Sequence, residues 1–447
     1  MSFNIGLSGL FASNKQLDVT GNNIANVATT GFKSSRAEFE DVYSATRLGT
    51  GSKTIGNGVR LANVSQQFTQ GDVSNTGNVL DMGIQGNGFF VLSNNGSLTY
   101  TRAGTFKTDK DGYVTNSDGT ARLQGYGVDS NGKIVNGVLT DLRIDTSNLA
   151  PKSTSTVSST INLNSTSTVI DQTVATNKFD PSKTETFTKS FSTPVFDTQG
   201  NQHPMDQYMV KTGPNTWDTY TLIDGRNPDG SDPKVTAPIP STMTFDSSGK
   251  LVSVSTPVPP TVPPTVPTPA PIISNDLKIS NWTPGTVTNG VWTANGAAAD
   301  PAGVTISMAS TSQFNADTAR SIPSQNGYAT GQITNLTIDG SGVLLANFSN
   351  NQTKPIGQIS LASFTNEQGL QPVGGTSWKE TYVSGIPGYD APEIGTLGSI
   401  VSNSLEESNV NLTNELVDLI KAQSNYQANA KTISTQSTIM QTIIQMA

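Results

Sequence analysis

The sequence predicts a mainly β protein, in which β-barrel- or sandwich-like outer domains are nested on an α-helical coiled-coil domain formed by the N- and C-terminal segments. Three observations predict this fold class. Apolar residues recur every seven positions at the two ends of the chain and nowhere else. Strand-sized apolar runs separated by Asp-x-x-Gly turns fill the region between the ends. Charged side chains almost disappear from the terminal segments.

The heptad rows at the two ends share the same phase. A spacing of 3.5 residues per turn is typical of a coiled-coil seam. We therefore expect the ends to pack on each other, or on copies of themselves; the alternative is an intramolecular helical hairpin that closes a globular domain. The expected heptad seam consists of Phe3, Leu7, Leu10, Leu17, Ile24, Leu405, Leu412, Leu416, Leu419, Tyr426, Ala430, Ile433, Met440 and Ile444.

The C-terminal helix has two candidate starting points. Ser404 and Glu407 have the spacing of a capping box, and Asn411 is an equally good single N-cap. The sequence does not decide between them.

The terminal segments carry very few charges. Lys15 and Asp18 are the only charged residues among residues 1–30, and Lys431 is the only one among residues 422–447. A helix exposed to water normally carries Glu and Lys on its flanks. We therefore expect these helices to be buried among neighbouring helices on several sides.

The overall composition limits the possible partners. The chain has 447 residues and a formal net charge of -8 at pH 7, so binding to nucleic acid or to anionic lipid is disfavoured. It has no cysteine, which excludes disulfides and thiolate metal sites. The first basic residue is Lys15, and no secretory signal pattern precedes it. We expect no cofactor, no membrane insertion, and an extracellular protein exported without a cleavable Sec signal.

A recurring turn divides the central region into strands. Asp near the start of a tight turn and Gly at a position of positive φ are what such turns require. The alternative, a set of calcium loops, lacks the denser spacing of oxygen ligands in an EF-hand. The expected turns are 109–112, 129–132, 197–200, 246–249 and 339–342.

Two segments differ from this strand-and-turn pattern. Residues 29–70 contain few alternating runs and several glycines, which indicates an extended linker. Residues 256–271 are rich in proline and indicate a stiff polyproline-type spacer, with docking on an SH3-like groove as the less favoured alternative.

Catalysis is disfavoured by the supply of catalytic side chains. His203 is the only histidine, so a Ser-His-Asp triad or a histidine-rich metal site has one candidate at most. The Asp and Glu residues show no spacing that would indicate a catalytic pair of carboxylates. A secreted adhesin or carbohydrate-binding protein remains an alternative from a different class, although sticky helical ends are unnecessary for that function.

Several motifs bear a family resemblance. Residues 21–33 resemble the N-terminal motif shared by rod and hook proteins of the bacterial flagellum, and residues 405–412 resemble their C-terminal motif. Interior runs at 85–90, 100–104 and 357–362 are similar to those of flagellar hook proteins. The matching motif residues are Asn22, Asn23, Ala25, Asn26, Thr30, Gly31, Phe32, Lys33, Ser408 and Asn409.

The resemblance implies a domain plan. An inner helical domain would comprise residues 1–28 and 403–447, followed by the linker 29–70. A middle β domain would comprise 71–145 and 326–402, and an outer β domain 146–325.

The resemblance also implies a function. The chain would be a structural subunit that assembles with itself into a curved tube and transmits motor torque to the filament. Its other partners would be the flagellar rod, hook cap and hook-filament junction proteins and the flagellar type III export apparatus. The alternative within the family is the distal rod protein.

Overall fold

The structure is a computed structural model that describes residues 2–42, 56–129, 132–257, 270–289, 291–321 and 323–446. The chain divides into two compact units. The helical unit comprises residues 1–146, 333–347 and 353–447, and the inserted unit comprises 147–332 and 348–352. Residues 258–269 of the expected proline-rich spacer lie outside the described residues.

Two long helices occupy the ends of the chain. Helix α1 spans Ser2–Ala25 and helix α2 spans Leu412–Met446, and the two pack against each other. Strands fill most of the remaining described residues. The predicted fold class, mainly β with paired terminal helices, is confirmed.

Helix α2 begins at the second of its two candidate starts. The side-chain oxygen of Asn411 accepts a hydrogen bond from the backbone N–H of Asn414 at 3.1 Å, as an N-cap does. Residues 403–411 are therefore not helical, and α2 covers only part of the segment 403–447 that the resemblance assigns to the inner domain. Its first part instead forms the strand Ser404–Glu406, which pairs with Val73–Asn75.

The helical unit contains one large, mainly antiparallel sheet and several small ones. The large sheet runs from Ile333–Ile338 at one edge to Gln371–Gly374 at the other. Buried aromatic and aliphatic side chains form two clusters on it, one around Phe90 and one around Phe89. The described strands of this unit are Ser35–Asp41, Val59–Gln66, Val73–Asn75, Met82–Gln85, Phe89–Asn94, Ser97–Thr101, Phe106–Thr108, Val114–Asn116, Arg122–Tyr126, Thr140–Asp141, Ile333–Ile338, Val343–Phe348, Thr353–Ile359, Leu361–Ser363, Gln371–Gly374, Ser377–Lys379, Gly388–Asp390, Ser399–Ser402 and Ser404–Glu406.

The expected linker 29–70 is not merely extended. Strands Ser35–Asp41 and Val59–Gln66 pair antiparallel within it. The pair lies against α1, where the backbone N–H of Val59 donates to the hydroxyl of Ser8 at 3.2 Å. Most residues of the two strands are exposed or half-buried, and their apolar residues do not alternate regularly with polar ones, so the pattern was too weak to predict strands.

The inserted unit is built on a six-stranded antiparallel meander, whose strands follow one another in chain order from Lys189–Phe196 to Ile272–Ser274. Two smaller sheets each contain a parallel pair that joins the start of the unit to its end. Trp217, Met205 and Met243 lie in the core that these sheets enclose. The described strands are Thr156–Ser158, Ile161–Asn164, Lys189–Phe196, Gln202–Gly213, Thr216–Ile223, Ser241–Phe245, Leu251–Thr256, Ile272–Ser274, Asp276–Ile279, Gly285–Thr288, Val291–Ala294, Val304–Ser307, Thr311–Phe314, Ala319–Arg320 and Ser324–Gln325.

The Asp-x-x-Gly turns are confirmed at all five predicted places. In each, the glycine N–H donates to the aspartate carbonyl oxygen at 3.0 to 3.1 Å. Each of these glycines has a positive φ, between 76° and 84°. Because side chains rarely adopt that conformation, glycine is required there.

Candidate assembly surface

Helices α1 and α2 form an antiparallel pair. The side-chain amide of Asn23, near the end of α1, donates to Glu415 Oε1 at 3.0 Å, near the start of α2. At the opposite end of the pair, the backbone of Gly6 lies beside Ile433. The pairing therefore brings the first turns of α1 to the second half of α2.

The contact between the helices uses small and polar residues of α1. Gly6, Ser13 and Thr20 are buried and lie seven residues apart. A Cβ on Gly9 would lie 2.5 Å from Asn429 Oδ1, so a larger residue there would require the Asn429 side chain to move. Gly6, which lies beside Ile433 of α2, is three positions beyond Phe3, so the apolar row that begins at Phe3 is not the side of α1 that faces α2 there.

The expected heptad seam is not buried within one chain. Six members are exposed to between 37 and 73% of their full surface, and they are Phe3, Leu412, Leu416, Tyr426, Met440 and Ile444. The remaining helical members are half-buried, and they are Leu7, Leu10, Leu17, Ile24, Leu419, Ala430 and Ile433. The pair thus leaves apolar side chains exposed along both helices, whereas a helix in a closed globular domain normally buries its apolar stripe.

Leu405 is a wrong member of the seam, because it lies in the strand Ser404–Glu406 and not in α2. In this strand Ser404 and Glu406 are buried and Leu405 is half-buried, which is the two-residue alternation of a strand. Its place in the heptad register was a coincidence of spacing.

The exposed apolar surface is larger than the heptad pattern indicated. Other apolar side chains of the two helices are also exposed, and they are Phe11, Val417, Ile420, Ile439, Ile443 and Met446. The signal that could have found them is the i, i+3 and i, i+4 recurrence next to each heptad position. These residues and the helical members of the seam together form what we term the apolar helix surface.

The family-motif residues lie where α1 joins the β part of the helical unit. Asn23 bonds both backbone groups of Ser35, through Nδ2 at 2.8 Å and Oδ1 at 2.9 Å. Asn26 Nδ2 donates to the carbonyl oxygen of Asn22. Ala25 is exposed, and Thr30 is half-buried. The asparagines of the motif thus end the helix and direct the chain into the hairpin.

Gly31 and Lys33 continue this junction. Gly31 has a φ of 67°, and a Cβ there would lie 2.4 Å from the backbone nitrogen of Ala103, so no other residue fits. The ammonium of Lys33 lies 2.6 Å from Glu406 Oε1, and both side chains are fully buried. Arg102 NH1 lies 3.2 Å from Glu406 Oε2. We term Lys33, Arg102 and Glu406 the Glu406 cluster.

Burial has the largest influence on the pKa of Lys33 in the Glu406 cluster. It lowers the pKa of Lys33, although the charge of Glu406 and its hydrogen bond to Lys33 oppose this shift. Sequence analysis named Lys33 but missed Glu406 and Arg102. In the sequence, Glu406 ends the strand Ser404–Glu406 and Glu407 follows it, and nothing in that spacing marks Glu406 as buried.

Asn409 joins three segments on the other side of the same junction. Its side chain accepts from the backbone N–H of Ser34 at 2.7 Å and donates to the carbonyl oxygen of Gln67 at 2.7 Å. Its own backbone N–H donates to the carbonyl oxygen of Phe32. Ser408 accepts from the backbone N–H of Val410 at 3.3 Å. The two terminal segments are therefore joined to each other before α2 begins.

His203 lies between two carboxylates of the inserted unit. Its Nδ1 lies 2.6 Å from Asp224 and its Nε2 lies 3.3 Å from Asp197, so each ring nitrogen faces a carboxylate. Burial lowers the pKa of His203, but the hydrogen bonds and charges of the two aspartates outweigh it, and the net shift is upward. Neither nitrogen is left to accept a proton from a serine.

The described residues offer no metal site of three or more His, Cys, Asp or Glu side chains. Among the same residues, neither helix is long and apolar enough to span a membrane.

Four family models match the chain. Residues 3–33 match a flagella basal body rod protein model and 401–446 match the flagellar basal body rod FlgEFG protein C-terminal model. Residues 83–173 match the flagellar hook protein FlgE/F/G D1 domain, and 162–328 match the flagellar basal body protein FlaE D2 domain. The flagellar hook protein FlgE of Escherichia coli is 36% identical over 450 residues, which is 100% of both chains. The chain belongs to the flagellar hook protein family.

A more distant relative extends this similarity. The flagellar hook protein of Borreliella burgdorferi is 32% identical over 99% of this chain and 98% of its own. The crystal structure of the Helicobacter pylori flagellar hook protein FlgE2 covers 74% of this chain and 100% of its own, with 17% identity and a TM-score of 0.46. A likeness at that TM-score plays no part in the assignment.

Membership of the hook protein family confirms the general function that the sequence predicts. The chain is a structural protein of the flagellar hook, and the relatives it matches over their full length are named flagellar hook proteins. The family also supports self-polymerisation within the flagellar basal body. The distal rod and adhesin alternatives are both less consistent with full-length similarity to hook proteins.

Proposed function

We propose that this chain assembles with itself into a curved tubular universal joint that passes motor torque to the filament. One observation carries the proposal. The paired helices bury small residues between them and leave the apolar helix surface exposed, although apolar surface of that extent is normally buried. Copies of the same helices, packed around one axis, would cover it.

The exposed members of the heptad seam supply the assembly contacts in this proposal. Phe3 is 47% exposed in the single chain and Ile444 is 73% exposed. Side chains that repeat every seven residues interdigitate as knobs in holes with neighbouring helices. A tube of such helices resists twisting, because interdigitated side chains have discrete arrangements and do not deform continuously.

The domain plan given by the resemblance is part of the proposal. The inner helical domain, 1–28 and 403–447, would line the tube. The linker 29–70, the middle β domain, 71–145 and 326–402, and the outer β domain, 146–325, would lie further from the axis. Outer surfaces that meet through Asn, Ser, Thr and Gly exchange wet contacts at low cost, and the tube bends there.

The remaining partners follow from the same proposal. The tube would contact the flagellar rod at one end and the hook cap, and later the hook-filament junction proteins, at the other. Unfolded subunits would reach its growing end through the flagellar type III export apparatus, without a cleavable Sec signal. A chain without cysteine suits passage in an unfolded form.

Salt-induced assembly of the purified chain tests the proposal. Negative-stain microscopy is expected to show curved hollow tubes, and removal of residues 412–447 is expected to abolish them. If the full chain stays monomeric under all assembly conditions, the proposal fails. A truncated chain that kept a carbohydrate ligand, while the full chain formed no tubes, would favour an adhesin.

A further inference from the structure

The carboxylate of Glu406 connects separate parts of the helical unit. Its Oε1 accepts hydrogen bonds from Lys33 Nζ at 2.6 Å and from the backbone N–H of Gly71 at 3.0 Å. Its Oε2 accepts from Arg102 at 3.2 Å, and its backbone carbonyl oxygen accepts from Gly31 at 2.8 Å. One residue therefore holds three other segments of the chain.

The parts of the chain that meet at Glu406 include the segments next to both terminal helices and a segment next to the large sheet. Gly31 and Lys33 follow α1, which ends at Ala25, and Glu406 precedes α2, which starts at Leu412. Arg102 follows the strand Ser97–Thr101 of the large sheet. The sheet and the two helices consequently take their relative direction from contacts that converge on Glu406.

Stability alone gives little reason to place charges here. Lys33, Glu406 and Arg102 are at most 2% exposed, so all three lose their hydration on folding. Well-packed apolar residues of similar volume often replace such buried ion groups without loss of stability. In addition, Arg102 Nε is buried and has no hydrogen-bond partner among the described residues. What an apolar replacement cannot reproduce is the direction that a carboxylate imposes on its donors.

We propose that the Glu406 cluster specifies the direction in which both terminal helices leave the sheet of the helical unit, and that this positioning role, rather than added stability, is its contribution. The direction is a property of the single chain. Its consequence for assembly, a constant angle at which each copy presents its apolar helix surface, rests on the proposed function.

The absence of cysteine makes a direct measurement possible. Cysteines introduced at the exposed residues Ser424, in α2, and Ser117, in the β part of the helical unit, would each carry a spin label. Pulsed electron-electron double resonance on the soluble chain then reports the distribution of distances between the two spin labels, one on the helix and one on the β part of the unit. The wild-type background is expected to give one narrow peak.

The deciding variant replaces the whole cluster, with Lys33→Met, Arg102→Met and Glu406→Leu together. We expect its thermal unfolding midpoint to stay close to that of the wild type, while the single narrow distance peak is lost. The matched control replaces the exposed ion pair of Arg60 and Glu40 in the hairpin of the same unit, with Arg60→Met and Glu40→Leu. It is expected to keep the narrow peak. An unchanged narrow peak in the triple variant would overturn the proposal.

A second variant covers the case in which the triple variant does not fold. Glu406→Gln keeps the shape of the side chain but removes the charge between two cations, and we expect it to lose the narrow peak as well. A folded Glu406→Gln variant with the wild-type distribution overturns the proposal. Failure of the wild-type chain to form tubes would contradict the proposed function and leave these distance measurements unaffected.

Discussion

The inserted unit encloses an apolar core, whereas the terminal helices leave many of their apolar residues exposed. In the inserted unit, Trp217, Met205 and Val304 are fully buried in a core enclosed by the unit's own strands. In α2, Ala422 is the one described side chain that is buried, and Ile444 is 73% exposed. The inserted unit has an apolar core of its own, whereas the apolar side chains of the helices remain exposed in the single chain. A polymer subunit with this division keeps its folding and its assembly on separate surfaces.

Removal of α2 is expected to have the largest effect on the helical side of this comparison. A chain that ends at residue 411 should lose all polymerisation, because the antiparallel pair and most of the apolar helix surface disappear together. The inserted unit should still unfold cooperatively, since its core contains no residue of the helices. Sedimentation measures the first outcome and circular dichroism the second. Tubes formed by the truncated chain would contradict the comparison.

A core substitution in the inserted unit should have the reverse effect. Trp217 is fully buried, and its indole N–H donates to Gln313 Oε1 at 2.8 Å. Trp217→Ala should lower the free energy of unfolding of the inserted unit by about 3–5 kcal/mol. At low temperature, polymerisation should continue with little change. Unfolding followed by calorimetry, together with assembly assays, checks both parts, and a failure to assemble while the inserted unit remains folded would show that the two surfaces are not separate.

A single substitution on the apolar helix surface is expected to weaken assembly without weakening the fold. Leu416 is 44% exposed in the single chain. If a neighbouring copy covers it, Leu416→Ser should cost about 1.5–3 kcal/mol per contact, which raises the critical concentration for assembly about tenfold or more.

The control for this variant is Val235→Ser in the inserted unit, where Val235 is 85% exposed. It removes a comparable apolar side chain from a surface outside the helices. We expect it to assemble at the wild-type critical concentration. Equal effects of the two substitutions would mean that the helices hold no special place in assembly.

The smallest expected effect is a pH dependence of the stability of the inserted unit. The carboxylates of Asp224 and Asp197 hold the pKa of His203 above its usual value near 6.5. A raised pKa in the folded state contributes stability that is fully present below pH 6.5 and is lost as the pH rises through the folded pKa. The unfolding midpoint of this unit should therefore fall over that range. In the His203→Gln variant this decline should be absent; if it persists, another group is responsible.

Much of this organisation follows from sequence patterns. Heptad spacing identified both terminal helices, and Asp-x-x-Gly identified the turns, because each pattern reflects a local backbone requirement. The pattern did not reveal which row of α1 faces α2. Gly6 and Gly9 carry no hydrophobic signal, and their role depends on close approach between two segments distant in sequence.

Local sequence patterns also could not predict the contacts at the junction between the terminal helices and the β part of the helical unit. Leu405 fitted the heptad register but lies in a strand, since pairing with Val73–Asn75 outweighs helix propensity there. Glu406 gave no signal of burial, because its partners Lys33 and Arg102 lie hundreds of residues away in the chain. The domain boundaries given by the resemblance remain a prediction.

Accessibility of the apolar helix surface before and after assembly tests the central claim most directly. The chain has no cysteine, so Ile444→Cys introduces a single thiol on this surface, and Val235→Cys introduces one on the inserted unit. The rate of thiol modification should fall sharply at position 444 when tubes form and stay nearly constant at position 235. Equal rates at position 444 in monomer and tube would contradict the account, because the helices would then be as exposed in the tube as in the single chain.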